Sequence, residues 1–180
     1  MKSLKCDVDE KVVEILKEII KLSFLSWKEL PEPDPEETIY TEEYFLNMKT
    51  VPKKEIYGGI IFPMQRAIHL PIKNPELAIH IKHVRYILDA KECTNAVLYP
   101  PNSIMDWHTN RDSIGERIYY VYNLKRGVFK YVDPDTKEIV VDYDNPGWTC
   151  RRFKIEYDRP LWHSVWSEGK RFAFGFNTHM

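Results

Sequence analysis

The chain has no excess of charge of either sign: 26 Lys and Arg stand against 27 Asp and Glu, a net charge of −1. Nucleic acid is therefore not indicated by charge, because a phosphate backbone is held by clustered cations. Cysteine is scarce. Cys6, Cys93 and Cys150 are odd in number and widely spaced, which suits a reducing compartment better than a disulfide framework. No apolar run is long enough to cross a bilayer, so no membrane is expected. The opening M-K-S-L-K-C-D-V-D-E carries no signal-peptide core before its acidic residues. A cytoplasmic location is the expectation. What is present is the composition of a folded domain, with 43% hydrophobic and 13% aromatic residues over 180 positions, enough for one buried core.

Apolar residues recur as Val12, Val13, Ile15, Leu16, Ile19, Ile20, Leu22 and Phe24. This period predicts a helix over 9–27 with Asp7 or Asp9 as its N-cap. The acidic, proline-rich stretch 31–37 reads as a loop. Thr41 is expected to cap a short helix to Leu46, and 56–70 reads as strand or irregular. Asn74, with Pro75 at the first helical position, opens a helix to about Ala90. His80 and His83 lie three apart on that helix with no third ligand close, and are read as surface or packing residues.

From Thr94 the character changes to short β-rich runs: 96–99, 105–109, 117–124, 128–132, 138–143, 150–157, 161–166 and 171–177. Turn signals such as Pro100-Pro101-Asn102, Asp133-Pro134-Asp135 and Asn145-Pro146-Gly147 separate them. About eight short strands at this spacing predict a mainly β fold, a sandwich or jelly roll rather than a parallel α/β sheet. One domain is expected over 1–180, with 1–93 as helical or irregular support packed on a β-core at 94–180.

Two segments of the β-rich half carry chemistry. A-V-L-Y-P-P-N-S-I-M-D-W-H-T-N-R-D contributes His108, and R-P-L-W-H-S-V-W-S-E-G-K-R-F-A-F-G-F-N contributes His163. Strand alternation puts residues i and i+2 on one face, so Asn110 is expected beside His108. Two histidines and a polar third residue form a three-sided metal site with open positions. Non-haem iron sites with two histidines and one carboxylate have that form, and here Asn110 stands where the carboxylate is expected. The bland alternative is a pair of core histidines packed beside Trp107 and Trp162.

The order of L-Y-P-P-N-S-I-M-D-W-H-T-N, G-E-R-I-Y-Y-V-Y-N and W-H-S-V-W-S-E-G-K-R-F-A-F-G-F resembles the iron(II)- and 2-oxoglutarate-dependent oxygenases, in particular their prolyl-hydroxylase-like branch, over residues 94–178. The resemblance implies a double-stranded β-helix (a cupin-like jelly roll). It implies Fe(II) on His108 and His163, with Asn110 in the third position and Asp112 as its rival. Arg171 would bind the distal carboxylate of the cosubstrate 2-oxoglutarate, for which a planar guanidinium is suited, and Tyr99 would add a hydroxyl. Dioxygen and a prime substrate would complete the reaction. That substrate is left open among a protein side chain, a nucleobase and a small metabolite. In 117–123, Tyr120 and Tyr122 share one face and Tyr119 takes the other; which face meets the site is open. A branch resembling the aspartyl/asparaginyl β-hydroxylases works without the carboxylate, so Asn110 is compatible with turnover. The alternatives are a cupin-like binding module without turnover, and metal-dependent isomerase or hydrolase chemistry on a cupin. The last gives Arg171 no role.

Overall fold

The computed structural model describes residues 4–26, 40–49, 68–110 and 114–178. Strand β1 (Lys5–Cys6) precedes helix α1 (Glu10–Ser26). Of the two candidate caps, Asp9 takes the role: its Oδ1 accepts from Lys11 N at 2.8 Å. Helix α2 (Glu42–Asn47) begins at Thr41, whose hydroxyl accepts from Tyr44 N. Strand β2 (Ile68–His69) leads to α3 (Pro75–Ile87), capped by Asn74 through Glu76 N at 3.0 Å. The helix stops at Ile87, short of Ala90, because Asp89 takes a left-handed φ of 48° and turns the chain. His80 is half-buried and His83 exposed on this helix. The loop 31–37, residues 56–67 and Asp112 lie outside the described residues.

Eight strands follow: β3 (Ala90–Tyr99), β4 (Ser103–His108), β5 (Gly115–Asn123), β6 (Gly127–Val132), β7 (Ile139–Asp144), β8 (Gly147–Ile155), β9 (His163–Ser167) and β10 (Arg171–Thr178). They form a six-stranded sheet in the order β1-β8-β5-β10-β3-β2 and a four-stranded sheet in the order β4-β9-β6-β7. Every pairing is antiparallel. From β3 to β10 the chain changes sheet at every step except β6 to β7. β3 begins six residues before the expected 96 because its polar half, from Lys91 to Asn95, has no hydrophobic alternation to announce it and is held by β10 instead. Two short strands from the N-terminal part, β1 and β2, finish the two edges of the larger sheet.

The alternation of β5 and β10 assigns the layers. Ile118, Tyr120, Phe172, Phe174 and Phe176 face outward, where Val12, Leu16 and Ile19 of α1 and Leu77, Ile81 and Val84 of α3 close over them as one core. Tyr119, Val121 and Ala173 face the smaller sheet. α2 covers that sheet from its other side: Phe45 packs with Ile104, Val128 and Trp166. The buried Lys130 ammonium donates to the Phe45 and Met48 carbonyls at the end of α2. Among the described residues no helix is long and apolar enough to cross a membrane.

Candidate metal centre

Strands β4 and β9 bring the two histidines face to face. Met105 opposes Val165, yet His108, not Trp107, opposes His163, so β4 carries one extra residue, a β-bulge. The ring centroids lie 4.0 Å apart with the planes at 54°. Each ring is oriented by the carbonyl two residues before it: His108 Nδ1 donates to Asp106 O at 2.7 Å and His163 Nδ1 to Leu161 O at 2.9 Å. A carbonyl only accepts, so each Nδ1 carries the proton and each neutral ring keeps its lone pair on Nε2. That is how metal-ligating histidines are held. His163 is 3% exposed, and burial, then the neighbouring His108, holds its pKa well below the ordinary histidine value. The neutral imidazole is the stable form.

Asn110 reaches the same place by a different route from the one strand parity predicts. β4 ends at His108, and Asn110 adopts a left-handed φ of 56°, a conformation asparagine tolerates better than most residues. Its Nδ2 lies 3.1 Å from His163 Nε2 and 3.4 Å from the Tyr119 hydroxyl. Tyr119 therefore faces the centre, while Tyr120 and Tyr122 pack toward the helices. Arg117, on the same face of β5, donates to Tyr119 Oη at 3.2 Å and to Asn177 Oδ1. Among the described residues no three His, Cys, Asp or Glu side chains gather around one point; the centre is two imidazoles and an amide.

A cavity of about 180 Å³ between the sheets joins these groups to Arg171 and Tyr99. It is smaller than the roughly 300–1,000 Å³ pockets of drug-sized ligands. Arg171 opposes Tyr99 across β10 and β3, and its guanidinium carbon lies 5.4 Å from the tyrosine ring centre. It is 6% exposed, and burial lowers its pKa. Among the described residues no carboxylate forms an ion pair with it. Glu168, the carboxylate nearest to it in sequence, pairs with Lys125 at 3.3 Å. The Tyr99 hydroxyl donates to Met105 Sδ at 3.3 Å.

Sequence reasoning missed Arg151, whose side chain also lines the cavity. Its guanidinium is held by Asp144 at 2.6 and 2.9 Å and Asp142 at 2.8 Å, under the Phe129 ring. The contrast with Arg171 is chemical: one buried cation is neutralised by two carboxylates, and the other has no carboxylate partner among the described residues.

No protein-family profile and no curated protein matches the sequence. Solved structures do. A prolyl hydroxylase from Trichoplax adhaerens, in complex with a hypoxia inducible factor oxygen degradation domain peptide fragment, matches with a TM-score of 0.52 at 12% identity, over 94% of this chain and 79% of that one. The chain shares its fold. YcfD, a ribosomal oxygenase from Escherichia coli, matches with a TM-score of 0.40 at 11% identity over 58% of this chain, which spans 29% of that protein. Peruvianin-I, a cysteine peptidase from Thevetia peruviana latex, matches with a TM-score of 0.34 at 16% identity over 47% of this chain, which spans 48% of the peptidase.

Proposed function

We propose that this protein is an Fe(II)- and 2-oxoglutarate-dependent oxygenase, a cytoplasmic hydroxylase built as one domain on a double-stranded β-helix. The alternation of the chain between two antiparallel sheets supports the jelly-roll reading. One observation carries the functional reading: two buried imidazoles, each oriented through Nδ1, share a cavity with a buried arginine that has no carboxylate partner among the described residues.

The donor set fits a divalent metal. His108 and His163 would hold it through Nε2, and Asn110 would supply the third donor once its amide turns to present Oδ1 in place of Nδ2. Bound there with dioxygen, iron supplies the oxidative decarboxylation of 2-oxoglutarate to succinate coupled to oxidation of the substrate. The protein's own part is binding and exclusion of water. Arg171 offers two parallel donors to the distal carboxylate, with the Tyr99 ring beside its guanidinium. Val97, Val121, Val165 and Ala173 line the walls and keep the cavity apolar around these groups. The prolyl hydroxylase neighbour is solved with a peptide, which makes a peptide side chain the first class of prime substrate to test.

A second reading, a cupin-like module that binds a small acid without turnover, draws on the neutral third donor: Asn110 leaves the metal charge uncompensated. Succinate separates the two. Fe(II)-loaded protein supplied with 2-oxoglutarate in air is expected to release succinate above the level of a His163→Ala control. Binding of 2-oxoglutarate with no succinate over that control assigns the module. Failure to bind either metal or 2-oxoglutarate overturns both.

A further inference from the structure

Away from the cavity, β1 and β8 bring two of the three cysteines together. Lys5 opposes Arg151 and Cys6 opposes Cys150 in an antiparallel pair. Directly opposed residues in such a pair stand about 4.5–5.5 Å apart at Cα, inside the range a disulfide spans. The two sulfurs lie 2.9 Å apart, closer than sulfurs that merely touch. Cys6 is half-buried and Cys150 buried, and a surface depression bounded by Cys6, Tyr143, Trp148 and Cys150 gives a small oxidant access. Cys93 lies on β3, three strands from β8 in the sheet order.

We propose that Cys6 and Cys150 are a reversible disulfide site that latches β1 onto β8. With glutathione disulfide as oxidant the electrons balance. The Cys6 thiolate attacks one glutathione sulfur, the S–S bond of the oxidant breaks, and one glutathione thiolate leaves. The Cys150 sulfur, as its proton is taken up by solvent base, then attacks Cys6 Sγ and expels the second glutathione. Two protein thiols are oxidised, and one glutathione disulfide is reduced to two glutathiones. Burial pushes the Cys150 thiol up, so Cys6 is the thiol that meets the oxidant first. In a reducing compartment the pair rests open.

The latch reaches the cavity through charge. Lys5 Nζ sits 2.7 Å from Asp142 and 3.7 Å from Asp144, the two carboxylates that hold Arg151 in the cavity wall. A bond at Cys6 fixes its neighbour Lys5 in that cluster. The open pair leaves β1 on a two-residue ladder, one further backbone bond, from Arg152 N to Leu4 O, and the side-chain contacts of Lys5.

The test uses the full chain with glutathione disulfide, alkylation of the remaining thiols and peptide mass mapping. The expected product is an intramolecular Cys6–Cys150 bond reversed by dithiothreitol, with Cys93 still alkylated. The thermal midpoint should rise, because the bond closes a loop between residues 144 apart. In Cys6→Ser, which leaves the buried Cys150 in the core, Cys150 should remain alkylated and the midpoint should not move with oxidant. A glutathione adduct that stays on Cys6, a bond that includes Cys93, a bond between two chains, or three alkylated thiols in the wild type would each overturn the proposal.

Discussion

At the scale of single residues, the proposed third donor, Asn110, would decide how tightly metal is held. Asn110 contributes no charge, so the centre should take up iron weakly by itself and more tightly when the cosubstrate dianion is present. Asn110→Asp places a negative charge at short range in a partly desolvated site. Iron affinity is expected to rise about tenfold or more, a gain of about 1.4 kcal/mol, and to depend less on 2-oxoglutarate. Asp112→Ala is expected to change it little. Metal titrations of both variants, with and without 2-oxoglutarate, check this; loss of binding in Asp112→Ala with none in Asn110→Ala would move the ligand to Asp112. For Arg171 the expectation is separable. Arg171→Ala should weaken 2-oxoglutarate by about 2–5 kcal/mol, the usual loss for one side of a buried charge pair, while iron affinity stays. Arg171→Lys should recover part of that, since an ammonium cannot make the two-pronged contact. Calorimetry reads both, and an unchanged 2-oxoglutarate affinity in the alanine variant would remove Arg171 from the site.

Between elements, small residues set how closely the strands bring their side chains. A methyl group on Gly175 of β10 would lie 2.7 Å from Tyr119 Cε1 on β5. Gly175→Ala therefore has to push the ring away, and its hydroxyl with it, from Asn110 and Arg117. Overpacking of this kind costs about 1–3 kcal/mol, to be seen in denaturant unfolding, and iron affinity should fall as well. In a Tyr119→Phe background the same substitution should cost no further iron affinity, because the hydroxyl it displaces is already gone; an undiminished loss there would place the effect elsewhere. This dependence also marks what a sequence can announce. Asn74-Pro75 and Thr41 carry their helix starts within a few residues, and the period of α1 gives its buried face, because those signals are local. The extra residue in β4 that sets His108 against His163 has no local signal. Nor does the left-handed turn at Asn110, which defeats strand parity yet brings the amide to His163. Arg151 was invisible for a related reason: its carboxylate partners lie on β7 and its place in the cavity is set by the packing of two sheets.

Across the whole molecule, the buried histidine couples folding to pH. The folded state holds His163 neutral, with its pKa well below the ordinary value near 6.5. Above pH 6.5 neither state binds the proton. Below it the unfolded chain binds one that the folded chain refuses, so metal-free protein loses stability as pH falls, by about 1.4 kcal/mol per pH unit for this one group. Urea unfolding between pH 7 and 5 should show that slope, and His163→Gln should flatten it by about one proton; an unchanged slope would mean that His163 is not the group responsible.

The order of strands also fixes when the centre can exist. β10, the last of the described strands, lies in the middle of the larger sheet between β5 and β3 and brings Arg171 with it. Until it is in place, β3 and β5 have no partner between them, and its own pairings, Arg171 with Tyr99 and with Asn123, join segments far apart in the chain. Long-range pairings of this kind close late and slowly. During synthesis the cavity therefore cannot form while residues 171–178 are still inside the ribosome. A nascent chain stalled before them would hold both histidines and no cavity to join them to Arg171.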